Sequence, residues 1–346
     1  MKRPLVVKLG SSLVVDDGGR PRRALLRARA AEIAAIVEAG TPVCVVSSGA
    51  IALGLRRLHA TRRPSSLPRL QAASALGQAA LQRAWQDALA PHGLEAAQIL
   101  LTSAEIAERR AYVNVRSALG ALFALGAVPV VNENDATATD EISFGDNDAL
   151  AAQVAVLVRA RLLVLLTSVA GVLSEGVLIE DGAAARRAAL GPGSPFGRGG
   201  MESKIAAAEL AAGAGIATLI ADGTADGILT HALAGRAPGT RFAAAESAPA
   251  FKLWLRHGKR VTGRIHVDAG ARTAVVEQGA SLLAVGVTAA EGFRAGDGVE
   301  LVGPDGAVFA RGIASVDAAE LAGRPPQVEA VHRDRLVLAA GPRFPK

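Results

Sequence analysis

Of the 38 Lys and Arg residues in this chain only six are lysine, and two of the six stand where a cation is poorly accommodated. Lys8 interrupts the apolar run LVVKL (5–9), just ahead of Gly10-Ser11-Ser12. Lys204 closes GRGGMESK (197–204) and falls in the first turn of an Ala-rich helix, whose positive end repels it. Both could snorkel to solvent, but each lies beside a glycine-rich turn whose backbone N–H groups suit phosphate oxygens. A compact ammonium in an otherwise arginine-rich chain fits the same purpose. A third cluster, Gly145-Asp146-Asn147-Asp148, opens a helix shortly after Asn132-Glu133-Asn134-Asp135. Acids and Asn are ordinary helix N-caps, yet the two clusters together form a pocket rich in carboxylates and amides. Such a pocket suits an ammonium with an adjoining carboxylate, which is an amino acid.

The elements that must position these groups alternate. Apolar runs at 5–9, 41–48, 97–101, 128–132, 162–167 and 217–221 read as strands, and the stretches 22–39 and 67–90 read as long helices. Strands apolar throughout and separated by helices indicate an α/β domain with an open, mostly parallel sheet sandwiched by helices. Ligands then bind at the carboxyl ends of the strands. Those ends read Lys8–Ser12, Ser47-Ser48-Gly49, Asn132–Asp135 and Thr167-Ser168, all small, polar or glycine-bearing. Residues 183–200 read as a flexible loop within this domain. After about residue 240 the texture shifts to short Val/Ile/Leu runs between turn signals such as Gly296-Asp297-Gly298. The expected organisation is a domain over 1–240, a linker over 241–258 and a small β-rich barrel over 259–346.

Composition excludes several classes. With 50% hydrophobic and 20% charged residues the chain is globular. Its longest uncharged stretch, 39–55, is shorter than a membrane span and contains Pro42, and Lys8 cuts short any signal-peptide core. The lone Cys44, inside VCVV, reads as a buried hydrophobe, and a cytoplasmic location is expected. The net charge of +6 is spread without a long basic block. No GxxxxGK[ST] or GxGxxG occurs, which disfavours P-loop and Rossmann sites.

In order and spacing, VVKLGSS, VSSGAIALG, LTSAEIAERRAYVNVRSAL, VPVVNENDATAT, GDNDALAAQVA and GRGGMESK closely resemble the glutamate 5-kinases of the amino acid kinase family. The tail, with FRAGDGVELVGPDGAVFARGIA and AVHRDRLVL, resembles a PUA domain. The resemblance implies ATP-dependent phosphorylation of the γ-carboxylate of L-glutamate, the first step toward proline. On matching positions it makes Lys8 and Lys204 the groups on the transferring phosphoryl, with Asp148 holding them. It assigns Ser48, Asp135 and Asn147 to glutamate, with Asn132 and Asp146 close by. ATP would face Lys8, Gly10, Thr167, Ser168 and the loop Arg198, Gly199, Gly200, Met201, Glu202, Ser203 and Lys204. Mg²⁺ would be held mainly by ATP phosphates, with no protein ligand. A homodimer or homotetramer and feedback by L-proline are implied as well.

Ser168 stands where the family carries Asp, and the segment after Gly171 lacks the family's Asp-Pro-Arg and is shorter, which alters the expected adenine and ribose contacts. Relatives acting on acetylglutamate, carbamate or a nucleoside monophosphate share the same lysine logic. RNA binding through the tail is the rival of another class. The basic stretch Lys252, Arg256, Lys259, Arg260, Arg264 favours it, and the scarcity of aromatic stacking residues weighs against it.

Overall fold

The computed structural model describes residues 2–60, 62–137, 146–190, 200–245, 261–321 and 327–338. The chain divides into two compact units, Met1–Ser247 and Ala248–Lys346.

In the first unit the elements run β1 (Leu5–Leu9), α1 (Ser11–Val14), α2 (Arg23–Glu38), β2 (Val43–Ser47), α3 (Ala50–Arg57), α4 (Leu67–Leu89), β3 (Ala96–Leu101), α5 (Ser103–Ala107), α6 (Arg109–Ala124) and β4 (Val128–Glu133). They continue with α7 (Asp146–Leu157), β5 (Leu162–Thr167), β6 (Leu173–Ser174), β7 (Val177–Leu178), α8 (Gly182–Leu190), α9 (Gly200–Gly213), β8 (Ala217–Asp222), α10 (Ile228–Leu233) and β9 (Thr240–Phe242). Seven strands form one sheet in the order β3-β4-β2-β1-β5-β8-β9, parallel except for β9 at one edge.

Strand parity sorts the chemistry between the two faces of this sheet. Leu5, Val7 and Leu9 of β1 pack with α2 and α4, as do Val43 and Val45 of β2 and Val128 and Val130 of β4. Val6, Cys44, Val46 and Val131 point the other way, into the core built with α7 and α9. Side chains alternate along a strand, so Lys8 falls on the α7/α9 side, whereas Ser47 and Asn132 fall on the α4 side. A register slip of one residue would exchange these positions.

Two glycines set how closely α3 and α4 approach. A Cβ on Gly77 of α4 would stand 1.8 Å from the carbonyl oxygen of Ala50, and one on Gly54 of α3 would stand 1.7 Å from that of Ala73. The helices therefore cross backbone to backbone, and α3 begins directly after Ser48-Gly49, at the end of β2.

Two expectations change. Residues 183–190, expected in a loop, belong to α8, because AAARRAAL consists of strong helix formers; of the remainder of that expected loop, 191–199 lies outside the described residues and Gly200 opens α9. Arg241 and Phe242, expected in the linker, belong to β9 of the first sheet. That edge strand is too short to leave a period in the sequence.

The second unit contains β10 (Val261–Val267), α11 (Ala269–Glu277), β11 (Leu282–Leu283), β12 (Val287–Glu291), β13 (Gly298–Val302), β14 (Val308–Ile313), α12 (Ala318–Leu321), β15 (Glu329–Val331) and β16 (Leu336–Leu338). Its strands pair as a five-stranded sheet, β12-β10-β13-β14-β16, and a two-stranded ribbon, β11-β15. Ile265, Phe293, Val299 and Leu301 lie in its core. Among the described residues no helix is long and apolar enough to cross a membrane.

Gly77→Ala should destabilise the first unit by about 3 kcal/mol, the upper end for overpacking a tight contact. Gly120→Ala, in α6 with open space around the new methyl, should instead stabilise by about 0.5–1 kcal/mol. Denaturant midpoints measured at constant slope would check both.

Candidate active site

At the carboxyl edge of the sheet, Asp148 in the first turn of α7 forms ion pairs with two lysines. Lys8 Nζ lies 2.6 Å from Oδ1 and Lys204 Nζ 3.1 Å from Oδ2. All three are buried, with 4%, 7% and 1% of Lys8, Lys204 and Asp148 exposed. The Ser203 hydroxyl donates to Asp148 Oδ2 at 2.8 Å, and Lys204 also donates to the carbonyl of Gly200 at 3.1 Å. α9 thus turns its first residues back onto α7, despite the unfavourable dipole that Lys204 meets there.

The charges in this cluster do not balance, since two ammonium groups share one carboxylate. Burial pulls Lys8 below its ordinary value and the neighbouring Lys204 adds to the effect, while Asp148 opposes both. Burial alone would raise Asp148, but the two lysines, with hydrogen bonds from Lys8 and Ser203, outweigh it and hold the carboxyl below its usual range. Among the described residues the two ammonium groups share a single carboxylate, and a bound anion would offset the remaining positive charge. Among the described residues a Cβ on Gly10 would meet its nearest neighbours at 3.9 Å and one on Gly200 at 3.7 Å, ordinary contact distances, with Lys8 Nζ and Lys204 Nζ respectively among them. Neither glycine is demanded by that packing, and each lies beside an ammonium.

The residue before Asp148 faces a different neighbourhood. Asn147 Oδ1 accepts from the backbone N–H of Glu133 at 3.2 Å, and Asn147 Nδ2 donates to Asn132 Oδ1 at 3.1 Å. Asn132 Nδ2 in turn donates to Gln78 Oε1 of α4 at 2.9 Å. One turn earlier on α4, the Ser74 hydroxyl donates to the buried carboxylate of Asp135. Further along the same helix Trp85 Nε1 donates to Ser47 Oγ at 2.9 Å, next to half-buried Ser48. Gly49 follows at φ +117°, where a Cβ would stand 3.1–3.2 Å from Val15 and Val14.

Thr167 ends β5, its carbonyl accepting from Gly223 N–H at 2.7 Å, and Ser168 beyond it is exposed. Met201 is half-buried and Glu202 exposed in the first turn of α9. Arg198, Gly199 and the side chain of Asp146 lie outside the described residues, as do Lys252, Arg256, Lys259 and Arg260. Burial drives the Cys44 thiol up to about 12 and leaves it inert.

The model of the amino acid kinase family matches residues 3–222. The chain belongs to this family. A PUA-domain model matches residues 263–324. The chain is 45% identical to the glutamate 5-kinase of Sphingopyxis alaskensis, over 96% of this chain and 97% of that protein. It is 44% identical to the glutamate 5-kinase of Novosphingobium aromaticivorans, over 96% and 95%, and 43% identical to that of Geobacter metallireducens, over 92% and 88%. Among solved structures, N-acetylglutamate synthase from Neisseria gonorrhoeae, complexed with coenzyme A and L-arginine, matches with a TM-score of 0.53 at 18% identity. That match covers 70% of this chain and 62% of the synthase, and it shows the shared fold alone.

Reading the sequence missed Ser74 and Gln78, the contacts that this kinase fold makes from α4. They stand four residues apart on a long Ala/Leu helix and share its buried face. Two polar residues at that spacing on an otherwise apolar stripe were the available signal.

Asp148→Asn should leave two buried ammonium groups without a counterion and cost about 3–5 kcal/mol at neutral pH. Because the native carboxyl is lowered, its contribution is complete above the ordinary Asp value of 3.8 and is lost as pH falls through the lower native value. Urea titrations of both proteins should therefore show a constant stability gap above pH 3.8 that narrows in stronger acid.

Proposed function

We propose that this chain is an ATP-dependent glutamate 5-kinase, transferring the γ-phosphoryl group of ATP to the γ-carboxylate of L-glutamate and releasing ADP and γ-glutamyl phosphate. Near-full-length identity of 45% to a curated glutamate 5-kinase carries the reading, and the charge imbalance at Asp148 supports the assignment of roles.

The nucleophile is a carboxylate with a reference pKa of ~4.3, ionised at neutral pH, so the reaction requires no general base. The barrier lies in bringing two anions together and in the charge on the equatorial oxygens of the transferring group. Lys8 and Lys204 answer both, from opposite sides of a carboxylate that fixes their spacing. They are held in place before substrate arrives, so little reorganisation is needed at the transition state. Asp135 offers a negative partner for the α-ammonium of glutamate. Asn147 and Asn132, with Ser48 at the β2 end, offer polar groups for its carboxylates. Thr167, Ser168 and the start of α9 line the nucleotide side in this reading.

Mg²⁺ supplies charge neutralisation on the nucleotide. Among the described residues no three His, Cys, Asp or Glu side chains converge to hold a metal ion, and both Asp148 oxygens face ammonium groups. In this reading the ion would be carried on the ATP phosphates. Family kinship supports a homo-oligomeric enzyme inhibited by L-proline, with the kinase domain running through β9 to Phe242, a linker after it to 258 and 259–346 as the PUA-like domain.

Trapping the acyl phosphate with hydroxylamine should yield γ-glutamyl hydroxamate from L-glutamate and ATP, and L-proline should suppress it. Product from acetylglutamate and none from glutamate would overturn the reading. Lys204→Arg should lower kcat by about 10²–10³ with a nearly unchanged melting temperature, because a planar guanidinium does not reproduce a point ammonium.

A further inference from the structure

Gln78 is an expensive residue for its position. It lies on α4 among Ala and Leu, more than nine-tenths buried, and its amide nitrogen has no hydrogen-bond partner among the described residues. A Leu or Met there would bury without an unpaired amide nitrogen of its own, so packing alone does not explain a glutamine.

Its oxygen explains it. The backbone N–H of Glu133 can only donate, so Asn147 must present Oδ1 to it. Asn147 Nδ2 is then the donor toward Asn132, which must answer with Oδ1, leaving Asn132 Nδ2 pointed at α4. Gln78 Oε1 is the acceptor that ends this chain. An amide side chain turned by half a rotation exchanges its donor and acceptor at nearly the same shape. A donor fixed at one end and an acceptor at the other remove that freedom from both asparagines. α4 crosses α3 backbone to backbone at Gly77 and Ala50, so the helix that carries Gln78 is closely packed, and the Glu133 N–H sets the direction of the chain that Gln78 completes.

We infer that Gln78 is a positioning residue for amino-acid recognition, locking the donor and acceptor faces of Asn132 and Asn147 toward the substrate carboxylate without touching substrate. The inference rests on the assignment of these two asparagines to the glutamate side.

Steady-state kinetics on the full-length protein test it. Gln78→Met, of similar length and without an acceptor, should raise KM for L-glutamate about tenfold and leave KM for ATP within about twofold. Gln78→Glu keeps an acceptor toward Asn132 and should return KM to within about threefold of the parent. In an Asn147→Ala background, which itself raises KM for glutamate, Gln78→Met should add less than about twofold, because the chain it completes is already cut. Effects that multiply in the double variant, or an equal rise in both KM values, would overturn the inference. If Gln78→Met does not fold, Gln78→Ala takes its place with the same expectations. Should Asn147→Ala alone leave KM for glutamate unchanged, the assignment of the asparagines fails, and the inference about Gln78 fails with it. That outcome is distinct from one in which Asn147 matters and Gln78 does not.

Discussion

One carboxylate held between two ammonium groups is the constraint on which the rest of this molecule depends. Asp148 gathers Lys8 from β1 and Lys204 from α9 onto the first turn of α7, so three elements distant in sequence must meet at one buried point. Burying charges this way is costly, and the unequal count of two cations to one anion makes it costlier. A fold that needed only stability would fill the same space with apolar side chains. In the proposed reading the transferring phosphoryl group offsets the imbalance, with Gly10 and Gly200 beside the ammonium groups.

The sheet converts this local arrangement into a two-sided site. Strand alternation sends Lys8 to the α7/α9 face and sends Ser47 and Asn132 to the α4 face. Asn147 and Asp148, adjacent in the chain, stand where the two meet, one bonded to Asn132 and the other to the lysines. In the proposed reading a single peptide unit thus couples the amino-acid side to the phosphoryl-transfer side. α4 serves the first of these along most of its length, through Ser74 on Asp135, Gln78 on Asn132 and Trp85 on Ser47.

Much of this was legible in the residues. Apolar strands with polar ends announce a parallel sheet and its ligand edge, because a sheet covered on both faces leaves only its ends for chemistry. Lysine scarcity marked Lys8 and Lys204, and the Asn147-Asp148 pair was visible as an acidic, amide-rich helix start. Less legible were features whose cause lies in another part of the chain. The helix at 182–190 was hidden by the glycines and prolines that follow it, and β9 is too short to show a period. Ser74 and Gln78 on their alanine-rich helix were harder still to single out, since each bonds a residue more than fifty positions away.

Element types, sheet class, family kinship and the candidate site residues follow from the order of residues, since periodicity, turn chemistry and charge are local properties of a chain. Tertiary structure alone decided that the two conspicuous lysines share one aspartate, that Asn147 continues through Asn132 to Gln78, and that two glycines let α3 and α4 touch. The physical reason is the same in each case. Hydrogen bonds and ion pairs are short-ranged, and their partners become neighbours only when the sheet brings distant strand ends to a common edge.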